Sequence, residues 1–288
     1  MKLIRFKDKQ GNIAIGLEKD DCVVDLKEIH LSRQFTDLNE FIAEHNEEDI
    51  ETLQDFNGYK EGEPLDEVEV LAPFKTTVHD VICVGLNYKE HIEESRSSAA
   101  ENAVYFSKRS EVISGPEDEV LLDLKVQNSM DYEAELAIVI GKRGKNISEE
   151  DALDYIFGFT ILNDFTAREL QQKHGQWFKG KSLDGFTSIG PAVVYKGDFT
   201  FPLELDIESR VNGEARQGSN TRLMIRDIGR LIYELSQGVT LVPGDIIATG
   251  TPKGVGMGFT PPKYLKAGDT VECEIEGIGV LRNTIVSE

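Results

Sequence analysis

The stretch that most constrains this chain is Asp131-Tyr132-Glu133-Ala134-Glu135-Leu136-Ala137-Ile138-Val139-Ile140-Gly141. The apolar, partly β-branched run from Leu136 to Ile140, closed by Gly141, predicts a strand. Side chains alternate across a strand, so Glu133 and Glu135 fall on one face. Two like charges at that spacing, beside a buried run, repel each other unless something compensates them. Solvent at an exposed strand end would do so. A divalent metal would also do so, because paired carboxylates are the hard oxygen ligands that such ions prefer. The stretch alone leaves both open.

The remaining composition excludes more than it assigns. The 288 residues suffice for one large domain, or for a small unit beside a medium one. A formal net charge of -21, with no basic stripe, argues against nucleic acid and anionic membrane as partners. It does not exclude an anionic substrate, since a local metal and a few Lys or Arg reverse the field inside a pocket. Cys22, Cys83 and Cys273 are far apart, so they form neither a disulfide framework nor a zinc site, and they fit a reducing compartment. The N-terminus lacks a signal-peptide core and no apolar run could span a bilayer, so a cytoplasmic location is expected.

Residues 1–74 predict a small β-rich N-terminal unit. Leu3–Phe6, Ile13–Leu17 and Cys22–Leu26 read as short strands, residues 37–56 carry helical spacing, and Gly58–Asp66 reads as a linker. Residues 75–288 hold every candidate for chemistry. Val81–Gly85 predicts a buried strand, and Asn87 a helix cap. On the following helix His91 and Glu94 are three residues apart, so they can meet, as a solvated pair or as an imidazole oriented for general-base work. Residues 95–103, rich in Ser and Ala, read as a mobile segment able to form a lid. Gly158–Asp164 predicts a strand handing over to a helix from Thr166. Asp164 at that junction is either a helix cap or a third metal ligand, with Arg168 and Gln171 on one face of the helix. Gly175–Ser182 matches the P-loop pattern letter for letter. The segment before it is helical rather than a strand, Trp177 and Phe178 are bulky for a phosphate loop, and Pro191 follows too soon for a long helix, so the P-loop reading is rejected. Lys181 remains a candidate cation for a substrate carboxylate. Further on, Asn212-Gly213 signals a hairpin and residues 221–236 an amphipathic helix, and four glycines between Thr249 and Gly258 permit close backbone approach to a ligand.

Taken in order, these pieces resemble the fumarylacetoacetate hydrolase family over residues 78–286. They are Gly85-Leu86-Asn87-Tyr88 with His91 and Glu94, Asp131-Tyr132-Glu133-Ala134-Glu135, Asn163-Asp164 through Arg168, Lys181-Ser182, Val211-Asn212-Gly213, Pro243-Gly244-Asp245, Thr249-Gly250-Thr251-Pro252 and Gly254-Val255-Gly256. The resemblance implies a strand-rich α+β fold, a mixed β-sandwich roll that is usually a homodimer. It implies Mg²⁺ or Mn²⁺ (or Ca²⁺ in crystals) on Glu133, Glu135 and Asp164, and a His91/Glu94 pair that activates water. It places Arg168, Gln171, Lys181 and Thr251 around the acid and keto groups of a small substrate. The expected activity is metal-dependent hydrolysis of a C–C bond in an acylpyruvate or other 2,4-diketo acid, with Lys181 steadying the pyruvate enolate that leaves. Oxaloacetate decarboxylation and isomerisation of 2-hydroxyhepta-2,4-diene-1,7-dioate are sister reactions of such a site, and a catalytically inactive ligand-binding protein is the rival of another class.

Overall fold

A computed structural model describes residues 1–58, 62–95 and 102–287. The chain is strand-rich α+β, built on two main sheets. The larger runs in the order Glu63–Pro64, Cys22–Asp25, Ile13–Lys19, Lys2–Lys7, Thr187–Tyr195, Ile156–Asp164, Ala134–Ile140, Ile246–Ala248, Val81–Gly85, Val104–Lys108. The smaller, of five strands, runs Glu214–Asn220, Asp206–Val211, Thr270–Ile275, Gly279–Val286, Glu119–Leu121. Helices α1 (Leu38–Glu44) and α2 (Glu47–Asp55) lie in the N-terminal part, and α3 (Lys89–Ser95), α4 (Arg168–Lys173), α5 (Phe178–Lys181) and α6 (Ile228–Ser236) in the rest.

The Ala134–Ile140 strand is buried along its whole length. Its two faces serve two cores. Leu136, Ile138 and Ile140 pack with Ile207, Val271 and Leu281 of the smaller sheet, while Ala137 and Val139 pack with Phe41, Ile42 and Leu53 of α1 and α2. Each large apolar side chain so buried stabilises the fold by roughly 1.5–3 kcal/mol. The N-terminal strands join the same sheet edge to edge, Lys2 and Leu3 pairing with Val194 and Val193.

Several local expectations are corrected. Gly58–Asp66 is not a free linker over its described part, because Glu63–Pro64 pairs with Cys22 and Val23 (residues 59–61 lie outside the described residues). The helix expected from Thr166 begins at Arg168, since Thr166–Ala167 pair instead with Met130–Asp131. The helix expected over 221–236 is a 3₁₀ turn at Thr221–Leu223 followed by α6. The break falls where Leu223 and Ile225 stand half exposed, so helical spacing there did not mean a buried stripe. Asn87 does not cap α3. Its amide donates to Thr249 O at 2.9 Å and Arg226 O at 3.0 Å, and its Oδ1 accepts from Arg226 N, joining three chain segments. The expected lid lies, from 96 to 101, outside the described residues.

Strand direction decides where the chemistry gathers. Val81–Gly85 runs parallel to Ile246–Ala248, and Ala134–Ile140 runs antiparallel to Ile246–Ala248 and to Ile156–Asp164. Two strands therefore end, one begins and a fourth ends at the same edge. There the α3 segment, the 249–258 loop, Glu133 with Glu135, and Asp164 all emerge together.

Candidate active site

Glu133 precedes the first residue of its strand yet stays in register, with Asp164 N–H donating to Glu133 O at 2.9 Å. Cross-strand neighbours share a face, so Asp164 joins Glu133 and Glu135. Ligand oxygens of the three lie within 4.8 Å of one another, and all three residues are buried. The solvated strand end is thereby excluded for Glu133 and Glu135. Asp164 is not a helix cap either: it closes its strand, and α4 has no side-chain cap.

Cations crowd round this triad. Lys181 Nζ lies 2.5 Å from Glu133 Oε2 and 2.6 Å from Asp164 Oδ2. Lys108 Nζ, fully buried, lies 2.7 Å from Asp164 Oδ1 and also donates to Phe165 O and Lys181 O. Arg168 reaches Glu133 Oε1 at 2.7 Å and Asp131 Oδ2 at 2.8 Å. Glu135 accepts Gly250 N–H at 2.9 Å and, among the described residues, has no salt bridge.

The electrostatics follow from these contacts. Burial alone would raise Glu133, but Lys181 and then Arg168 outweigh it and hold its carboxyl down at about 2. Burial pushes Glu135 well above the usual carboxyl range, and Asp164 and Glu133 push the same way. Burial works against the charge of Lys181 and Arg168, yet Asp164 with Glu133, and Asp131 with Glu133, overcome it and raise both. Lys108 is pulled below its ordinary value by burial, with Asp164 opposing. The buried carboxyl groups Asp131, Glu133, Glu135 and Asp164 outnumber the buried cations Lys108, Arg168 and Lys181 by one, and Glu135 is the one left over. Three clustered carboxylates, one of them without a paired cation, are the donor set that a hard divalent ion fits.

A cavity of about 220 Å³ opens above the triad. Its polar lining includes Glu133, Glu135, Arg168, Gln171, Lys181 and His91. Its apolar wall includes Phe106 and Trp177, edge to face at 5.1 Å. Leu86 carries a left-handed φ of 59°, which turns the chain sharply from Val81–Gly85 into α3 and brings His91 to the cavity. His91 Nδ1 stands 3.4 Å from Glu94 Oε2, and Glu94 accepts Gly254 N–H at 3.0 and 3.1 Å. Gln171 Oε1 accepts from Arg168 Nη1 at 3.2 Å, and Gln171 lines the cavity. Thr251 lines the cavity, but its hydroxyl donates to Ala134 O at 3.0 Å and accepts from Gln217 at 2.7 Å.

His91, Glu133, Glu135, Arg168, Gln171, Lys181 and Thr251 line this one cavity, Asp164 lies buried beneath it against Lys181, and Glu94 holds His91 at its rim. Lys108 was missed: a lone Lys closing a strand carries no signal until Asp164 is placed beside it. Phe106 and Met257 were missed for the same reason. The P-loop-like segment is α5 preceded by a turn, and it delivers Lys181 and Trp177.

Comparison with known proteins agrees with this geometry. Residues 80–286 match the family model described as fumarylacetoacetate (FAA) hydrolase C-terminal. The chain is 48% identical over 223 residues to oxaloacetate tautomerase YisK of Bacillus subtilis, covering 77% of this chain and 74% of that one. It is 47% identical over 224 residues to the mitochondrial oxaloacetate tautomerase Fahd2a of Rattus norvegicus, covering 77% and 71%. Among solved structures, a fumarylacetoacetate hydrolase from the psychrophile Exiguobacterium antarcticum superposes with a TM-score of 0.87 at 40% identity, covering both chains completely.

Proposed function

The chain belongs to the fumarylacetoacetate hydrolase family and is an enzyme of that family, and from that premise we propose that it interconverts the keto and enol forms of oxaloacetate or a closely similar small keto acid. The observation that carries this reading is one small cavity lined by Glu133 and Glu135 of a buried carboxylate triad, two cations and an imidazole. Its support over the expected C–C hydrolysis is the tautomerase name borne by relatives 47% and 48% identical. Hydrolysis of an acylpyruvate is the second reading, favoured by the full-length match to the Exiguobacterium hydrolase. We also propose a boundary near residue 74, supported by a family match that begins at residue 80.

Glu133, Glu135 and Asp164 would hold Mg²⁺ or Mn²⁺. When bound, such an ion supplies positive charge that polarises a 2-keto acid and stabilises its enolate. Arg168 and Lys181 present donors to carboxylate oxygen, Arg168 with the planar fork suited to it. Glu94 occupies Nδ1 of His91, so Nε2 is the nitrogen that exchanges protons. In the keto-to-enol direction the C3–H bond breaks as its proton passes to His91 Nε2, the bonding pair becomes the C2–C3 double bond, and His91 Nε2 then gives that proton to the 2-oxygen, so atoms and charge balance without water. Phe106 and Trp177 close one wall against solvent, which strengthens these contacts.

The test follows the ultraviolet absorbance of enol oxaloacetate with Mg²⁺ or Mn²⁺, and again with EDTA, while pyruvate is assayed in the same samples. Metal-dependent loss of enol without pyruvate is the expected result. Pyruvate from oxaloacetate would make the enzyme a decarboxylase, and faster pyruvate release from acetylpyruvate would make it the hydrolase.

A further inference from the structure

Asp131, fully buried beside the site, has entered so far only as an ion-pair partner of Arg168. Its Oδ1 accepts Tyr132 N–H at 2.9 Å and Gly256 N–H at 2.6 Å. Its Oδ2 accepts Met257 N–H at 3.0 Å and Arg168 Nε at 2.8 Å. A carboxylate offers about four acceptor sites, so this one is saturated by the protein. It has no capacity left for an ion or a substrate, and it does not line the cavity.

What Asp131 grips does line the cavity. Arg168 is held through Nε, which aims the rest of its guanidinium at Glu133 and Gln171. Met257, in the cavity wall, is held through its N–H. Three residues before Met257 the same loop gives Gly254 N–H to Glu94. The loop sits too close for side chains at both grips: a Cβ on Gly256 would stand 2.6 Å from Asp131 Oδ1, and one on Gly258 would collide with the Glu94 carboxylate. One short loop is thus clamped at one point by α3 and at another by the Met130–Asp131 strand. The Lys253–Glu90 ion pair at 2.9 Å spans the same junction, but both side chains are half exposed, so it adds little.

We propose that Asp131 is a positioning residue that joins the two halves of the site: through the 254–257 loop it sets Glu94, and with it His91, at a fixed place relative to the Arg168 guanidinium. This rests on Arg168 anchoring a substrate carboxylate, as in the reading above. A proton donor displaced by about 1 Å from an anchored substrate costs on the order of 10² in rate. Loosening Asp131 therefore acts on turnover more than on binding.

The test uses the full chain with Mg²⁺ and two conservative variants that approach the loop from opposite ends. Asp131→Asn keeps the shape but its amide nitrogen accepts nothing; Glu94→Gln weakens the other clamp. Hydrogen exchange is expected to rise about tenfold or more in α3 for Asp131→Asn, and at Gly256 and Met257 for Glu94→Gln. With oxaloacetate, kcat is expected to fall more than KM rises in Asp131→Asn, and the double variant to cost no more than the worse single one. Mg²⁺ affinity within about threefold of the parent separates this from damage to the triad. Unchanged α3 exchange in Asp131→Asn, with Gly256 and Met257 exchanging fast, would overturn the proposal. If Asp131→Asn does not fold, unchanged exchange at Gly256 and Met257 in Glu94→Gln overturns it. The exchange readout needs no substrate, so it stands or falls separately from the tautomerase reading.

Discussion

Glu133, Glu135 and Asp164 sit at the ends of two paired strands whose other neighbours are also paired, while His91 and Glu94 ride on a seven-residue helix. The strand-borne carboxylates are all less than a twentieth exposed, and two of them, Glu133 and Asp164, already carry ion pairs near 2.6 Å. The helix-borne pair meets at 3.4 Å and is tied to the body of the protein through Gly254. A sheet fixes several carboxylates at short range without a ligand, because each strand is held on both sides. A short helix does not, and catalytic hydrogen bonds of this kind commonly tighten only when substrate is present. The end proposed to bind an ion is preformed, whereas the pair proposed to transfer protons meets more loosely.

The largest effect that could break this contrast is on turnover. His91→Ala should leave Mg²⁺ affinity unchanged by calorimetry and lower tautomerisation by about 10²–10⁴-fold. Retained turnover would mean that the strand end works alone. Next, Lys181→Met removes the cation that bridges Glu133 and Asp164, and breaking a buried pair costs about 3–5 kcal/mol. That loss should appear in urea unfolding with EDTA and shrink with Mg²⁺, which would supply the missing charge. An equal loss in both conditions would separate Lys181 from the ion site.

A smaller effect comes from protons. Glu135 keeps its proton above the ordinary 4.5 because burial, Asp164 and Glu133 all raise its pKa. An ion must displace that proton, so Mg²⁺ affinity should rise by up to about tenfold per pH unit from 4.5 until the raised pKa is passed. The same shift makes metal-free stability fall as pH rises over that range. Glu133 has the opposite sign: held at about 2 against an ordinary 4.5, it contributes stability present above 4.5 and lost as pH falls toward 2. A pH-independent Mg²⁺ titration would place Glu135 outside the ion site. The smallest effect is a control on the helix side. Asp227 caps α6 by accepting Arg230 N–H at 2.8 Å, and Asp227→Ala should cost about 1 kcal/mol in thermal unfolding while leaving Mg²⁺ binding and turnover alone.

Much of the site was legible because its residues obey short-range rules. The period of two placed Glu133 and Glu135 on one face, and i, i+3 spacing brought His91 to Glu94. The resemblance to the family implied the fold class, and the short strands by themselves said only that the second half is strand-rich. Less legible were features that depend on what lies opposite. Asn87 looks like a cap in isolation and is a three-segment clamp in the fold. Leu223 and Ile225 look like a buried stripe and are exposed. Gly58–Asp66 looks like a linker and closes partly into a sheet edge. In each case local propensity pointed one way and a distant partner decided otherwise.

By itself the sequence determined the strand at 134–140, the pairing of like charges at its start, the helical dyad and the rejection of a P-loop at 175–182. Each rests on chain periodicity or on covalent limits that act within a few residues. Chain pattern left Asp164 as either a cap or a third ligand, and tertiary structure decided that it joins the triad, that Lys108 pairs with Asp164 while Lys181 bridges Asp164 and Glu133, and that Asp131 accepts from both Arg168 and the glycine loop. Those outcomes depend on which strands are neighbours and in which direction they run. Buried charge is stable only beside its partner, and the partners here come from segments far apart in the chain.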